Sequence, residues 1–236
     1  MSTGFKAGGF NEGTPPNTYE SEKMTAFTLG SKNRLLDNKL VANKLVANVE
    51  AWYWLYKDVN EVQFGLANPP PGPTNPFPNI QLLTYNAAKI KSYGVEAQVE
   101  YLVWHGGKLT ADFAYNDAKF TNFELPAFAF GPFDIAPSNL SGQSTPFAPP
   151  WSGNLGFEQR FELGGAGALL ADASGQIKSY QRVQPGTAIG SVVGGTGTAD
   201  AALTYVRPND QWEVRAWMKN ITDEPVLYFA GTTPVP

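Results

Sequence analysis

Strict alternation of apolar and polar side chains, in segments of about ten residues, is the feature that most constrains the fold of this chain. The clearest segment runs over residues 92–103. Its apolar set is Tyr93, Val95, Ala97, Val99, Tyr101 and Val103, and its polar set is Ser92, Gly94, Glu96, Gln98 and Glu100. Because successive side chains of a β-strand point to opposite faces, the pattern predicts a strand with one apolar and one polar face.

The same alternation recurs along the chain. The other apolar sets are Leu45, Ala47, Val49, Ala51, Tyr53 and Leu55; Leu109, Ala111, Phe113 and Tyr115; Leu155, Phe157 and Phe161; Leu169, Ala171, Ala173 and Ile177; Ala199, Ala201, Leu203 and Tyr205; and Trp212, Val214, Ala216 and Met218. None of these positions carries a charge. Aromatic residues also stand on the polar side of one segment, at Trp52, Trp54 and Tyr56. His105-Gly106-Gly107, between two of the segments, predicts a tight hairpin turn.

The pattern predicts nine strands, at roughly 2–10, 22–33, 44–58, 80–103, 108–122, 151–162, 167–181, 196–206 and 212–229. The links alternate in length. Long ones cover about 11–21, 59–79, 123–150 and 182–195, and short ones lie near 34–38, 104–107, 163–166 and 207–211. Because antiparallel neighbours reverse direction, all the short links fall at one end of the sheet, as they do in outer-membrane barrels.

A soluble β-sandwich also alternates, but it has no reason to sort its loops by length. Charged residues are 16% of the chain, against roughly 25% in soluble domains. Tyr93 and Tyr101 lie about 26 Å apart along a strand, or about 20 Å after barrel tilt, close to the height of an apolar band. No segment approaches the ~20 apolar residues of a spanning helix. The fold class is therefore all-β, an antiparallel transmembrane β-barrel segment.

An odd number of strands predicts an incomplete barrel. Bacterial single-chain barrels have even strand counts, and an open sheet would leave unpaired edges in lipid. Residues 1–6 also lack the features of a signal peptide, which an exported protein would need upstream. We expect residues 1–236 to be one partial barrel domain, truncated at both ends.

Several segments resemble the TonB-dependent receptors, in the C-terminal half of their barrel. They are Gly4-Phe5-Lys6-Ala7-Gly8-Gly9-Phe10-Asn11, Tyr19-Glu20-Ser21-Glu22, Phe27-Thr28-Leu29-Gly30-Ser31-Lys32, Tyr93-Gly94-Val95-Glu96, Pro146-Phe147-Ala148-Pro149-Pro150-Trp151-Ser152, and Trp212-Glu213-Val214-Arg215 leading to Lys219-Asn220-Ile221-Thr222-Asp223-Glu224. The resemblance covers nearly the whole chain, in the family's order and spacing.

The resemblance implies a 22-stranded barrel closed by an N-terminal plug. On this alignment the nine strands are the thirteenth to twenty-first. The signal peptide, energy-coupling box, plug, first dozen strands and last strand are then missing from the chain. Its implied location is the bacterial cell outer membrane, and its implied partners are outer-membrane lipid, the plug and remaining strands of the parent receptor, and the TonB protein acting through the absent N-terminal region.

The sequence offers little chemistry for other function classes. The one histidine, His105, lies in the short turn, and there is no cysteine. The sequence therefore predicts neither an enzyme nor a metal or cofactor site. Residues 190–197 are glycine-rich, but no Lys-Ser/Thr follows them, so we predict a surface loop rather than a phosphate loop. With a net charge of −4 and no basic block, nucleic acid is not expected as a partner.

Substrate contacts are left unassigned. The aromatics Phe123, Phe128, Phe130, Phe133 and Phe147 of the longest link either contact a ligand or pack the loop. A hydrated interior or a plug contact is predicted for the mixed charges of the polar face, which are Glu50, Glu96, Glu100, Asp112, Glu158, Asp172, Asp200, Lys108, Arg160, Lys178 and Arg215. The tandem repeat 38–42 and 43–47 is interpreted as a duplication without function, its first copy extending into the turn near 36–38.

Two functions remain. The first, carried by the resemblance, is energy-coupled uptake of a scarce nutrient such as a ferric siderophore. The second is a passive or purely structural barrel remnant without transport activity.

Overall fold

The computed structural model describes residues 1–11, 18–38, 43–66, 80–125, 128–130, 133–135, 138–186 and 190–227, and its framework is an antiparallel sheet. Nine strands follow one another in chain order across this sheet. They are β1 (Ser2–Lys6), β2 (Glu22–Asn38), β3 (Asn43–Leu66), β4 (Ile80–Trp104), β5 (Gly107–Leu125), β6 (Trp151–Glu162), β7 (Ala168–Lys178), β8 (Thr196–Val206) and β9 (Glu213–Met218).

Shorter elements connect these strands. Gly9–Phe10 pairs with Thr18–Tyr19, Phe128–Phe130 with Phe133–Ile135, and Gln181–Arg182 with Val192–Val193. Ser138–Asn139 pairs with the end of β5. Single 3-10 turns, at Gly164–Ala166 and Pro208–Asp210, make two of the short links. Among the described residues, no helix is long and apolar enough to cross a membrane.

Strand pairing confirms the predicted faces, because directly opposed residues of neighbouring strands share a face. One row across the sheet joins Ala47, Val99, Ala111, Leu155, Gly175 and Ala199. The row beside it joins Asn48, Gln98, Asp112, Asn154, Gln176 and Thr198. We call the side of the first row the apolar face and that of the second row the polar face. Large side chains of the apolar face are exposed, Leu155 at 66% for example.

Four predicted boundaries are wrong. The third strand runs to Leu66 rather than near residue 58, and beyond its register shifts it pairs with β4 as far as Ile80. The first strand ends at Lys6 rather than near residue 10, because Gly9–Phe10 turns to pair with Thr18–Tyr19. The link predicted at 34–38 belongs to β2, whose last residues pair with the start of β3; the turn itself lies outside the described residues. The last strand ends at Met218 rather than near 229, since Asn220 takes a positive φ of 48° and donates its backbone N–H to Asp200 Oδ1.

The tandem repeat lies at the β2–β3 hairpin. Its first copy begins at Asn38, which pairs with Asn43 at the start of the second copy, and residues 39–42 lie outside the described residues. One extra residue, Leu35, forms a bulge in β2 between paired positions 34 and 36. The second copy keeps Leu45 and Ala47 in the apolar rows, so the register beyond the repeat is preserved.

Bulges change the alternation where β3, β4 and β5 approach the long links. In β3, Asp58 takes a positive φ of 56° beside a register shift. In β5, Phe120 pairs with Ile90 and Phe123 pairs with Ala88. Because one extra residue is bulged between the two phenylalanines, both rings lie on the polar face. The rings lie 4.5 Å apart and are each 1% exposed. With Val59, Ala88 and Leu140 they form the hydrophobic core cluster of the sheet.

The chain after β5 folds back along it and covers this cluster. Residues 140–145 bond to the β5 backbone: Leu140 N donates to Phe123 O (2.8 Å), Gly142 N to Phe120 O (2.8 Å) and Thr145 N to Ala118 O (3.0 Å). Phe120 N in turn donates to Gln143 O (3.0 Å). Residues 138–145 of the long link 123–150 therefore return along β5, and β6 begins only at Trp151.

Candidate functional site

Three aromatic side chains of β3 stand on the polar face toward the long links, at Trp52, Trp54 and Tyr56. The indole rings of Trp52 and Trp54 lie 5.6 Å apart and are tilted by 34°. Trp52 Nε1 donates to Ser92 Oγ (3.3 Å), and Ser92 Oγ donates to Asn116 Oδ1 (3.0 Å). Tyr56 packs against the hydrophobic core cluster. We call Trp52, Trp54 and Tyr56 the aromatic patch.

The aromatic patch has unused hydrogen-bonding capacity. Trp54 Nε1 is buried and has no hydrogen-bond partner in the part of the chain that the structure describes. The same holds, within the described residues, for Asn48 Oδ1 on the same strand and face. Buried polar groups in folded proteins are normally paired, so these two atoms are exceptions on the polar face.

Gly94 makes room for the aromatic patch. It pairs with Trp52 across the β3–β4 ladder. A Cβ added at Gly94 would lie 2.5 Å from Trp52 Cζ2. The same Cβ would lie 2.1 Å from the carbonyl oxygen of Tyr115, so the indole and the β5 backbone leave room only for glycine. This gives a physical reason for the glycine within the Tyr93-Gly94-Val95-Glu96 segment.

Charges occupy the polar face on the other side of the aromatic patch, toward the short links. Glu50 and Glu96 are directly opposed. Farther along, Lys108 Nζ lies 3.8 Å from Glu100 Oε2 and 4.0 Å from Glu158 Oε1, and Arg215 contacts Asp172 at 3.2 Å. Most of these side chains are partly exposed, which suits a hydrated surface better than a dry core. Along β3 the polar face thus changes from carboxylates to aromatic rings in the direction of the long links.

Asparagines and glutamates tie the long-link end together. Asn11 exchanges two hydrogen bonds with the backbone of Thr84, at 2.8 and 2.9 Å. Asn86 does the same with the backbone of Glu20, at 2.6 and 2.9 Å. Glu22 accepts the backbone N–H of Asn60 (3.0 Å) and pairs with Lys6 (3.1 Å). Burial, with the neighbouring Glu22 charge, raises the pKa of Glu61.

The structure places the remaining sequence candidates away from this surface. His105 is exposed in a two-residue turn whose Gly106 has φ of 77°. The glycine-rich segment includes the short strand Val192–Val193 and precedes β8, with no helix following it in the described residues. No group of three or more His, Cys, Asp or Glu side chains suited to a metal ion occurs among the residues described.

The aromatic residues of the longest link have different surroundings. Phe123 packs in the hydrophobic core cluster, which favours the packing interpretation for that residue. Phe147 is 60% exposed and donates its backbone N–H to Arg182 O (2.8 Å). The side chains of Phe128, Phe130 and Phe133 lie outside the described residues.

Sequence reasoning placed the aromatic patch on the polar face without giving it a role. The available signal was three large aromatics at alternate positions on a face that is otherwise polar. Their mutual contact and their support by Ser92 and Gly94 depend on strand register, which pairing with β4 fixes.

Comparisons of structure reveal the same sheet in several receptors. The ferric yersiniabactin uptake receptor FyuA of Yersinia pestis matches with a TM-score of 0.65 and 15% identity, over 94% of this chain and 29% of the receptor. BauA, the ferric preacinetobactin receptor of Acinetobacter baumannii, matches with a TM-score of 0.59 and 16% identity, over 93% and 29%. The ferric-catecholate import receptor Fiu of E. coli K12 gives 0.57 and 16%, over 91% and 26%.

These likenesses show the fold, and the chain spans less than a third of the length of each of these receptors. A sequence search of curated proteins finds no significant match. The family model of the TonB-dependent receptor-like β-barrel, in contrast, matches residues 1–221. Since that match covers the whole nine-stranded sheet, the chain belongs to the TonB-dependent receptor-like β-barrel family.

Proposed function

We propose that this sheet is part of the wall of a bacterial outer-membrane receptor that imports a scarce nutrient, such as a ferric siderophore, with energy relayed by TonB. The apolar face meets lipid, and the polar face lines the lumen. In such barrels the longer loops are extracellular, so the aromatic patch stands in the outer half of the lumen. The receptors of similar fold are named for ferric yersiniabactin, ferric preacinetobactin and ferric catecholates.

The aromatic patch is the observation that carries the proposal of a receptor rather than a plain wall. The rings of Trp52 and Trp54 offer apolar surface on the polar face, beside the hydrogen-bonded hydroxyl of Ser92 and amide of Asn116. Binding sites for small molecules combine apolar and aromatic lining with a few polar groups in this way. A structural wall needs no such arrangement on its hydrated side.

Whole-cell uptake separates the two functions. The complete receptor is expressed in cells that lack their own ferric-siderophore receptors, with and without TonB, and supplied with radioactive iron on a panel of siderophores. We expect uptake only in cells that contain TonB. Equal uptake in both strains would indicate a passive pore, and binding without uptake of any siderophore would favour the structural remnant.

Adjacent residues of β3 give a matched test of the site. Trp52 lies on the polar face and Tyr53 on the apolar face, where it pairs with Tyr93. We expect Trp52→Ala in the complete receptor to weaken siderophore binding about tenfold or more, while Tyr53→Ala leaves it within about twofold, since stacking on one aromatic ring contributes about 1–3 kcal/mol. Equal losses of siderophore binding in both variants would indicate that the substitutions disturb folding and do not remove a contact with the siderophore.

A further inference from the structure

Five lysines of the sheet project from the apolar face, all near the long-link end. Lys23 pairs with Lys57, Lys91 pairs with Lys119, and Lys89 pairs with Asn122. Their face follows from the register: Leu55, in the apolar set of β3, pairs with Lys91, and Lys89 is two residues away on the same strand. The other described strand lysines, Lys6, Lys32, Lys44, Lys108 and Lys178, belong to the polar face by the same rows. We call Lys23, Lys57, Lys89, Lys91 and Lys119 the lysine belt.

The lysine belt is poorly neutralised by the protein. Asp117 bonds Lys119 at 3.0 Å and also accepts the Tyr93 hydroxyl at 2.7 Å. Lys91 Nζ lies 5.5 Å from the centre of the Tyr93 ring. For Lys23, Lys57 and Lys89 the described residues provide no ion pair. Two of the pairings set like charges directly across the ladder, which destabilises a sheet unless an anion intervenes.

On three strands, lysines of the lysine belt follow a tyrosine of the apolar face. We call Tyr53, Tyr93 and Tyr115 the aromatic belt. Lys91 is two residues from Tyr93, and Lys57 and Lys119 are each four residues from Tyr53 and Tyr115. With a rise of about 3.3 Å per residue and a tilt near 40°, the lysine Cα atoms stand about 5–10 Å beyond the rings. A bilayer adds about 5–7 Å of headgroup on each side of its hydrocarbon core. Long lysine side chains reach further into that layer.

We infer that the lysine belt binds the phosphate groups of anionic lipids in the outer leaflet that surrounds the barrel. The observations that carry this are its charge, its continuity with the aromatic belt and apolar face, and the Lys23–Lys57 pair and Lys89, for which the described residues provide no counterion. Lipid phosphates neutralise Lys23 with Lys57, and Lys89 with Lys91, and so fix the height and orientation of β2–β5 in the membrane. This inference rests on the proposed membrane placement and is independent of the transported substrate.

Lipid-dependent stability of the intact protein tests the inference. Thermal unfolding is followed in non-ionic detergent micelles that contain increasing phosphatidylglycerol, or phosphatidylcholine as the zwitterionic comparison. A lipid that binds the folded state raises the melting temperature, and the dependence on lipid gives an apparent affinity. We expect phosphatidylglycerol to be favoured, and the triple variant Lys57→Gln, Lys89→Gln and Lys91→Gln to weaken its affinity by about fivefold per lysine.

Three controls make the result specific. The triple change Lys32→Gln, Lys44→Gln and Lys178→Gln alters net charge equally but on the polar face, and should leave the lipid effect intact. Replacing Lys57, Lys89 and Lys91 with arginine should retain it. Inorganic phosphate without lipid should not reproduce it.

The inference is overturned if both triple glutamine variants lose the effect equally, if phosphatidylcholine acts as strongly, or if inorganic phosphate alone suffices. Failure of the uptake experiments would leave all these outcomes unchanged.

Discussion

Neighbouring residues on one strand of this sheet meet different surroundings, and Val99 and Gln98 illustrate this. Val99 lies in the apolar row between Ala47 and Ala111 and is exposed on that face. Gln98 lies in the polar row between Asn48 and Asp112. Phe113 and Asp112 form a second adjacent pair of the same kind on β5. Strand identity and depth are therefore nearly constant within each pair, while the face differs.

Arginine substitutions at these positions test which face meets lipid. In the complete receptor we expect Val99→Arg or Phe113→Arg to cost roughly 2–4 kcal/mol of folding free energy near the bilayer midplane. Gln98→Arg or Asp112→Arg should cost much less, because the polar face is hydrated. The measurement is equilibrium folding into bilayers. Equal costs at Val99 and Gln98 would mean that the faces have been misassigned.

Glu61 provides a test at a residue beyond the membrane-spanning part of β3. Burial and the Glu22 charge raise the pKa of Glu61. The folded protein therefore binds this proton more tightly than the unfolded chain does, so ionised Glu61 lowers stability above its folded pKa. We expect Glu61→Gln to raise the melting temperature at neutral pH and to have little effect at pH values below the ordinary range of a glutamate, about 4.3.

The exposed Glu124 at the same end of the sheet is the matched control. Glu124→Gln should change the melting temperature little at either pH. A gain from Glu61→Gln that persisted at acid pH would show that packing, and not charge, is responsible.

At the scale of elements, the return of residues 138–145 along β5 depends on a small hydrophobic contact. Phe120 and Phe123 are buried beneath Leu140, and the backbone bonds of this segment run to the same stretch of β5. Removing a buried phenylalanine ring costs roughly 3–5 kcal/mol in a well-packed core. A comparable loss of folding free energy at Phe120 exceeds the stability that a few exposed backbone hydrogen bonds contribute.

We therefore expect Phe120→Ala to release the returning segment while the sheet persists. Hydrogen exchange at the amides of Gly142 and Thr145 should accelerate strongly, and exchange in β6 to β8 should not. Phe147→Ala is the control, because Phe147 is 60% exposed. Unchanged protection of Gly142 in Phe120→Ala would show that the hydrogen bonds alone hold the segment.

Strand number, order and faces could be predicted from the sequence, because alternation fixes which side chains of a strand share a face and the short links join sequential neighbours. The returning segment could not, since Phe120 and Phe123 share a face only through a bulge, and alternation alone would separate them. The same limit applied to the end of β2, where Leu35 is bulged and pairing continues to Asn38. The aromatic patch was visible as residue types, but its contacts with Ser92 and Gly94 required the β3–β4 register.

For the molecule as a whole, the exposed apolar face dominates its behaviour in solution. Many large apolar side chains are exposed together on this face, including Leu29, Phe113, Leu155 and Ile177. Soluble monomers rarely expose contiguous apolar patches beyond about 300–600 Å². We expect the chain to aggregate in plain buffer and to disperse in detergent. Size-exclusion chromatography with light scattering measures this, and a sharp monomer peak independent of concentration in buffer would contradict the membrane placement.

The return of residues 138–145 along β5 also covers a strand edge that would otherwise be free. β6 begins at Trp151 and pairs with β5 only up to Tyr115, so the last part of β5 would otherwise present bare N–H and C=O groups at the long-link end of the sheet. An exposed ladder of this kind is a template for a foreign β-strand. Here the chain's own backbone fills it, from Ala118 to Leu125. A neighbouring protein thus meets a satisfied strand edge at this end of the sheet.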